Sequence, residues 1–187
     1  MRIISGAVKG RRLAAVRGQQ TRPTADRVRE SLFNILGSLH GGPFVLDLFA
    51  GTGALGLEAL SRGAGQAVFI DNAARALAVL QKNIQHCGMQ ARARVIRWDL
   101  EKNLNCLRPY ALAFGLVFMD PPYGRRLLRP AMGHLLDCGC LAPGAMVVAE
   151  TSKEEVLSDL PEGLVCQDSR TYGGTRLWFL SHCGLKD

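Results

Sequence analysis

The sequence predicts an α/β protein with a mostly parallel sheet and helices on both faces. Three observations support this. Short apolar runs alternate with helical periodicity between residues 44 and 149, the pattern of parallel strands joined by crossover helices. A glycine-rich turn, Gly51-Thr52-Gly53-Ala54-Leu55-Gly56, follows the first run. Asp47 and Asp71 fall where the strands of such a sheet open into a ligand crevice.

The elements follow in order. Residues 3–13 read as a short hairpin or arm, with turns at Gly6 and Gly10. Pro23 limits the backbone and Thr24 is placed as an N-cap. Val28, Leu32, Ile35 and Leu36 then recur at helical spacing and predict one apolar face. Gly41-Gly42-Pro43 ends that helix and divides an extension, residues 1–40, from a body, residues 41–187. In the body, a strand at 44–48 leads to a helix at 53–62, stopped by Gly63. A strand at 66–70 precedes a helix at 73–86, with Ala73, Leu77, Leu80 and Ile84 on one side. A strand at 93–97 leads into a segment broken by Asn and Pro. A strand at 115–119, a helix at 127–137 and a strand at 145–149 come next. The unbroken apolar run at 145–149 fits a strand covered on both faces. Runs at 163–168 and 175–181 flank Ser169-Arg170-Thr171-Tyr172-Gly173-Gly174, a hairpin that closes one edge with an antiparallel pair.

Charge is unevenly placed. Residues 1–30 hold eight basic and two acidic side chains, so six of the seven net positive charges lie in the extension. A nearly neutral body with a basic arm points to a polyanionic partner. Six cysteines without a Cys-x-x-Cys pair, and four scattered histidines, give neither a disulfide framework nor a metal motif. The expectation is reduced thiols, no metal and a cytoplasmic location. No apolar run approaches the length of a membrane helix.

The glycine turn alone leaves the cofactor open, because a nicotinamide dinucleotide site has the same outline. Asp47 shifts the balance. Its carboxylate would repel a pyrophosphate but favours the sulfonium and ammonium of S-adenosylmethionine. Asp71 is then placed for the ribose hydroxyls and Asp99 for the adenine amino group. Phe49 and Trp98 are candidates to pack on the ligand. Ala50, Gly51, Thr52 and Gly53 form the turn, and Asn72 follows Asp71.

Asp120-Pro121-Pro122-Tyr123 follows the run Leu116-Val117-Phe118-Met119 and suits an exocyclic amine. Such a nitrogen is a poor nucleophile, since its lone pair is delocalised into the ring. The Asp120 carboxylate can accept one N–H and the Pro121 carbonyl the other. The two prolines stiffen the loop, and Tyr123 offers a flat face to the base. Methyl transfer to a base amine is the reaction this predicts.

The chain resembles the bacterial 16S ribosomal RNA guanine-N2 methyltransferases of the RsmD type, nearly end to end. The resemblance rests on Arg2-Ile3-Ile4-Ser5-Gly6 and Gly10-Arg11-Arg12-Leu13 in the arm. It continues through the helix that opens Arg22-Pro23-Thr24 and carries Asp26-Arg27-Val28-Arg29-Glu30-Ser31-Leu32-Phe33-Asn34. It also takes in Asp47-Leu48-Phe49-Ala50-Gly51-Thr52-Gly53 with the helix that follows, and the Asp-Pro-Pro-Tyr loop. The two sheet motifs are shared by many amino-methyltransferases, and the Arg-Pro-Thr helix narrows the choice.

The resemblance implies a Rossmann-like methyltransferase fold with a seven-stranded sheet and one antiparallel strand. It implies S-adenosylmethionine as donor, leaving S-adenosylhomocysteine, and as acceptor a guanine of 16S rRNA, conventionally guanine 966, within the 30S subunit. Ribosomal proteins would share that substrate surface, and the enzyme is expected to be a monomer. Asp120, Pro121 and Tyr123 match the catalytic loop. Lys9, Arg11, Arg12, Arg22, Arg27 and Arg29 are the expected RNA contacts. A DNA adenine-N6 or cytosine-N4 methyltransferase stays open, because the loop reads an amino group rather than a base. A non-catalytic rRNA-binding assembly factor and a nicotinamide enzyme are the remaining readings.

Overall fold

Seven strands form one sheet in the order β3-β2-β1-β4-β5-β7-β6. The computed structural model describes residues 1–16 and 24–184. Arg22, Pro23 and the side chain of Thr24 therefore lie outside the described residues. The strands are β1 (Phe44–Leu48), β2 (Gln66–Asp71), β3 (Ala93–Arg97), β4 (Phe114–Met119), β5 (Leu141–Ser152), β6 (Leu164–Tyr172) and β7 (Thr175–His182). The helices are α1 (Thr24–Leu36), α2 (Ala54–Ser61), α3 (Ala74–Cys87) and α4 (Leu128–Asp137). β1 pairs in parallel with β2 and β4, and β5 in parallel with β4. β7 alone is antiparallel to both its neighbours, β5 and β6. The segment after Asp99 forms a 3-10 helix, Asn105–Tyr110, with Pro109 inside it.

Alternation along the strands divides the core into two faces. Val45, Phe69, Phe118 and Phe179 pack with α1, α2, α3 and the N-terminal arm. Leu46, Ile70, Val117 and Trp178 pack with α4 and the segment around Leu104 and Leu107. Both faces are thus covered, as the apolar strand runs require. Two expectations change in detail. Ile35 is 46% exposed, and Phe33, fully buried, takes its place on the apolar face of α1. The hairpin turn is shorter than the six residues expected. Ser169 to Tyr172 continue β6, leaving Gly173-Gly174 to make the turn.

The arm packs onto the body rather than trailing from it. Ile3 and Leu13 belong to the buried core, and Arg2 and Arg12 form an antiparallel bridge. Glu58 of α2, fully buried, accepts the backbone N–H of Ile4 at 2.7 Å and of Ser5 at 3.0 Å. The same carboxylate receives Arg62 Nε at 2.8 Å and faces Arg29 Nε at 3.7 Å. A buried carboxylate surrounded by donors in this way avoids most of its desolvation cost. Gly6 crosses the end of α2 at φ +85°, and a Cβ there would lie 1.9 Å from the Ser61 carbonyl oxygen. Only glycine fits that crossing.

Candidate active site

The chain reverses direction across the sheet between β1 and β4, the switch point at which such sheets bind ligands. A cavity of about 600 Å³ opens there. Its lining brings together Asp47, Phe49 to Thr52, Asp71, Asn72 and the whole Asp120-Pro121-Pro122-Tyr123 loop. Met1, Ala15, Val16, Val28, Arg29 and Leu32 add a wall from the arm and α1. The two motifs, about 70 residues apart in sequence, therefore meet in one cavity.

Backbone geometry shapes the cofactor side. Phe49 turns the chain at φ 59°, unusual for a bulky residue, and Gly51 follows at φ 54°. Gly53 sits at φ +79°, and a Cβ there would lie 2.2 Å from Leu80 Cδ1. The turn thus requires glycine at this position for both conformation and space. Asp71 clamps the turn: its carboxylate accepts the N–H of Gly51 at 2.8 Å and of Ala73 at 2.8 Å. The remaining lone pairs can still meet a diol.

Asp47 is 2% exposed and accepts the N–H of Gly56 at 2.9 Å. Burial, opposed by that hydrogen bond and aided by Asp71, pushes its carboxyl up to about 8. Among the described residues it has no ion-pair partner. A buried carboxyl of this kind is matched to a ligand cation, which favours its ionised form. The donor set fits S-adenosylmethionine on that ground, and an anionic pyrophosphate does not fit.

On the acceptor side, Asp120 faces the cavity from the end of β4, and Pro121 is buried behind it. Asp120 is open to the cavity, yet protein surrounds it. Burial first, then Glu150 and Asp47, push its carboxyl well above the usual range. Tyr123 donates its hydroxyl to Glu150 Oε1 at 2.5 Å and meets Thr175 Oγ1 at 3.0 Å. Burial and the Glu150 bond raise the Tyr123 hydroxyl above its ordinary value. These contacts hold the ring beside Asp120.

Glu150 and Thr175 were not anticipated. Glu150 directly follows the apolar run at 145–149, at the same strand-end position that drew attention to Asp71. Thr175 pairs with Ser152 across the sheet, a register no local pattern reveals. Arg125, also unanticipated, lines the rim and faces Glu101 at 3.7 Å.

Three expected residues are placed otherwise than expected. Trp98 and Asp99 line a separate recess with Arg97, Lys102 and Asn103, which shares Asn72 with the main cavity. Trp98 packs into the core and donates its indole N–H to the Asn103 carbonyl at 3.0 Å. It packs against the core and borders that recess rather than the main cavity. Asp99 accepts the N–H of Glu101 at 3.2 Å and pairs with Lys102 at 3.4 Å. Arg29 is 4% exposed. Its guanidinium bonds the Arg2 carbonyl and, at 3.0 Å, Asp26, so it fastens the arm and is withheld from a phosphate surface. Lys9, Arg11, Arg12 and Arg27 are exposed, and Arg11 donates to the His86 carbonyl.

A seven-stranded sheet of this order, with its glycine turn and Asp-Pro-Pro-Tyr loop facing one cavity, defines a Rossmann-like methyltransferase. The solved Escherichia coli methyltransferase candidate YhhF shares the fold at a TM-score of 0.83 and 34% identity, covering 98% of each chain. A more distant structure, SMU.776 complexed with S-adenosylhomocysteine, shares the fold at a TM-score of 0.63 and 18% identity, covering 83% of this chain and 48% of its own. The family model described as conserved hypothetical protein 95 matches residues 1–181, and the chain belongs to that family of RsmD-like methyltransferases. The rRNA methyltransferase candidate YlbH of Bacillus subtilis is 39% identical over 175 residues, 94% of this chain and 95% of its own. Ribosomal RNA small subunit methyltransferase D of Escherichia coli is 38% identical over 161 residues, 86% of this chain and 79% of its own.

Proposed function

We propose that the protein methylates the exocyclic N2 of a guanine in 16S rRNA, at the position conventionally numbered 966, using S-adenosylmethionine. The observation that carries this reading is the meeting of the Asp120 loop and the Asp47 glycine turn in one cavity. Bound S-adenosylmethionine supplies an electrophilic methyl group on a sulfonium. Asp47 contributes the carboxylate that favours that cation, Gly51 to Gly53 let the backbone approach, and Asp71 meets the ribose. Asp120 and the Pro121 carbonyl hold the two N–H bonds of the amine, so that its lone pair points toward the methyl. As positive charge grows on nitrogen, the Asp120 carboxylate stabilises it and is placed to receive the released proton.

The rRNA part of the reading is supported by the small-subunit relatives and by the basic arm. Residues 1–40 act as an RNA-facing extension of the catalytic body, residues 41–187. Lys9, Arg11, Arg12 and Arg27 contact phosphates while the target base leaves its stack to enter the cavity. The substrate is the 30S particle and the enzyme works as a monomer.

The test is mass mapping of 16S rRNA after undermethylated 30S subunits are incubated with the protein and labelled donor. One N2-methylguanine is expected. No label in the rRNA, with label on an adenine or cytosine amine of duplex DNA offered in a parallel reaction, would replace this reading with the DNA amino-methyltransferase.

A further inference from the structure

The arm and the cofactor turn are joined by one buried side chain that the proposed chemistry does not use. Asn83, on α3, is 1% exposed. Its Oδ1 accepts the Ala14 N–H at 2.8 Å, and its Nδ2 donates to the Ala14 carbonyl at 3.1 Å. The same Nδ2 donates to the Thr52 carbonyl at 3.0 Å. A primary amide alone among small side chains supplies one acceptor and two donors in this layout. An aspartate would lose both donated bonds, and a leucine of similar volume would make none of the three.

What Asn83 joins gives the contact its meaning. Thr52 lies in the glycine turn, and the next two arm residues, Ala15 and Val16, line the same cavity as Thr52. A ligand that fixes the turn acts on Asn83 through the Thr52 carbonyl, and Asn83 holds both backbone groups of Ala14. We infer that Asn83 is a positioning residue that relays cofactor occupancy to arm residues 14–16, so that the cofactor sets the wall against which the RNA substrate docks. This rests on the reading of the cavity as the S-adenosylmethionine site. By linkage the relay is reciprocal: an arm held by RNA tightens the cofactor by the same factor. The ligand's effect is a narrowing of local motion, which needs no change of fold.

The experiment measures amide exchange at Ala14 to Val16 with and without saturating S-adenosylhomocysteine, beside calorimetric binding of the same compound. In the intact protein the ligand is expected to slow exchange at Ala14 by about 5-fold or more, the low end of measured couplings. Asn83→Ala and Asn83→Ser should still bind the ligand, about 5-fold more weakly by reciprocity, while exchange at 14–16 no longer responds. A residue that merely supports the fold would lower the melting temperature and leave the response in place. An unchanged response in either variant that folds overturns the relay. Binding to the intact protein without slowed exchange overturns it too, whether or not a variant folds. Absence of any binding heat would instead defeat the cofactor reading, and the relay with it.

Discussion

Asp47 and Asp120 face one cavity from neighbouring strands; burial raises the proton affinity of Asp47, and the enclosing protein with Glu150 and Asp47 raises that of Asp120, which stays open to the cavity. For Asp47 the consequence can be stated with its sign. Its folded value, about 8, lies above the unfolded carboxylate value of about 4. The native chain therefore holds more protons than the unfolded chain between those values, and Asp47's contribution to stability falls as pH rises through that window. Asp47→Asn keeps an oxygen for the Gly56 N–H and removes the buried charge. The ligand-free variant should melt above the unsubstituted protein at pH 8.5, and the gap should narrow at pH 5, as read by scanning calorimetry. Affinity for S-adenosylmethionine should fall by roughly tenfold, about 1.4 kcal/mol of lost ion pairing in a shielded site. Weaker binding without the pH-dependent gain would show that Asp47 is not a strained acid.

At the level of elements, one carboxylate gathers the start of the arm. Glu58 binds Ile4, Ser5 and Arg62 and faces the nearly buried Arg29. Glu58→Ala leaves that guanidinium with Asp26 as its carboxylate partner, and takes their acceptor from Arg62 and from two backbone N–H groups. A loss of about 3–5 kcal/mol is expected, measured as a shift in urea unfolding; a loss below 1 kcal/mol would mean the arm is held by its apolar contacts and its bonds to Ser61 and Asn83. This contact also shows where sequence reading stops. The strands, their parallel order and the closing hairpin follow from local periodicity, and the glycine turn and Asp-Pro-Pro-Tyr loop from spacing. Glu58 sits in the helix after the glycine turn, and its partners lie 53 and 54 residues away. Arg29 reads as one more surface cation of a basic arm until Glu58 is seen beneath it. Trp98 reads as lining the main cavity, whereas it borders a neighbouring recess with its N–H on Asn103. For Glu58 and Arg29 the deciding contact is tertiary and leaves no spacing signal; for Trp98 it is local, but an indole bond to a loop carbonyl follows no periodic pattern.

At the scale of the whole molecule, the basic arm also borders the cavity. The arm supplies most of the net positive charge, and its residues Met1, Ala15 and Val16 reach the cavity that holds Asp120. If about 4–6 phosphates are neutralised, log affinity for 16S rRNA should fall against log salt with a slope of roughly −3 to −5. Reversing Arg11 and Arg12 to Glu should flatten that slope by about 2, and an unchanged slope would separate the arm from the phosphates. The account as a whole turns on Asp120 acting on the amine rather than on the cofactor. Labelled-methyl transfer to undermethylated 30S subunits by Asp120→Asn, with S-adenosylhomocysteine binding measured on the same samples, tests this directly. Turnover should drop by roughly 2–4 kcal/mol of barrier with cofactor affinity nearly unchanged. Equal losses of binding and turnover, or full activity in the variant, would contradict it.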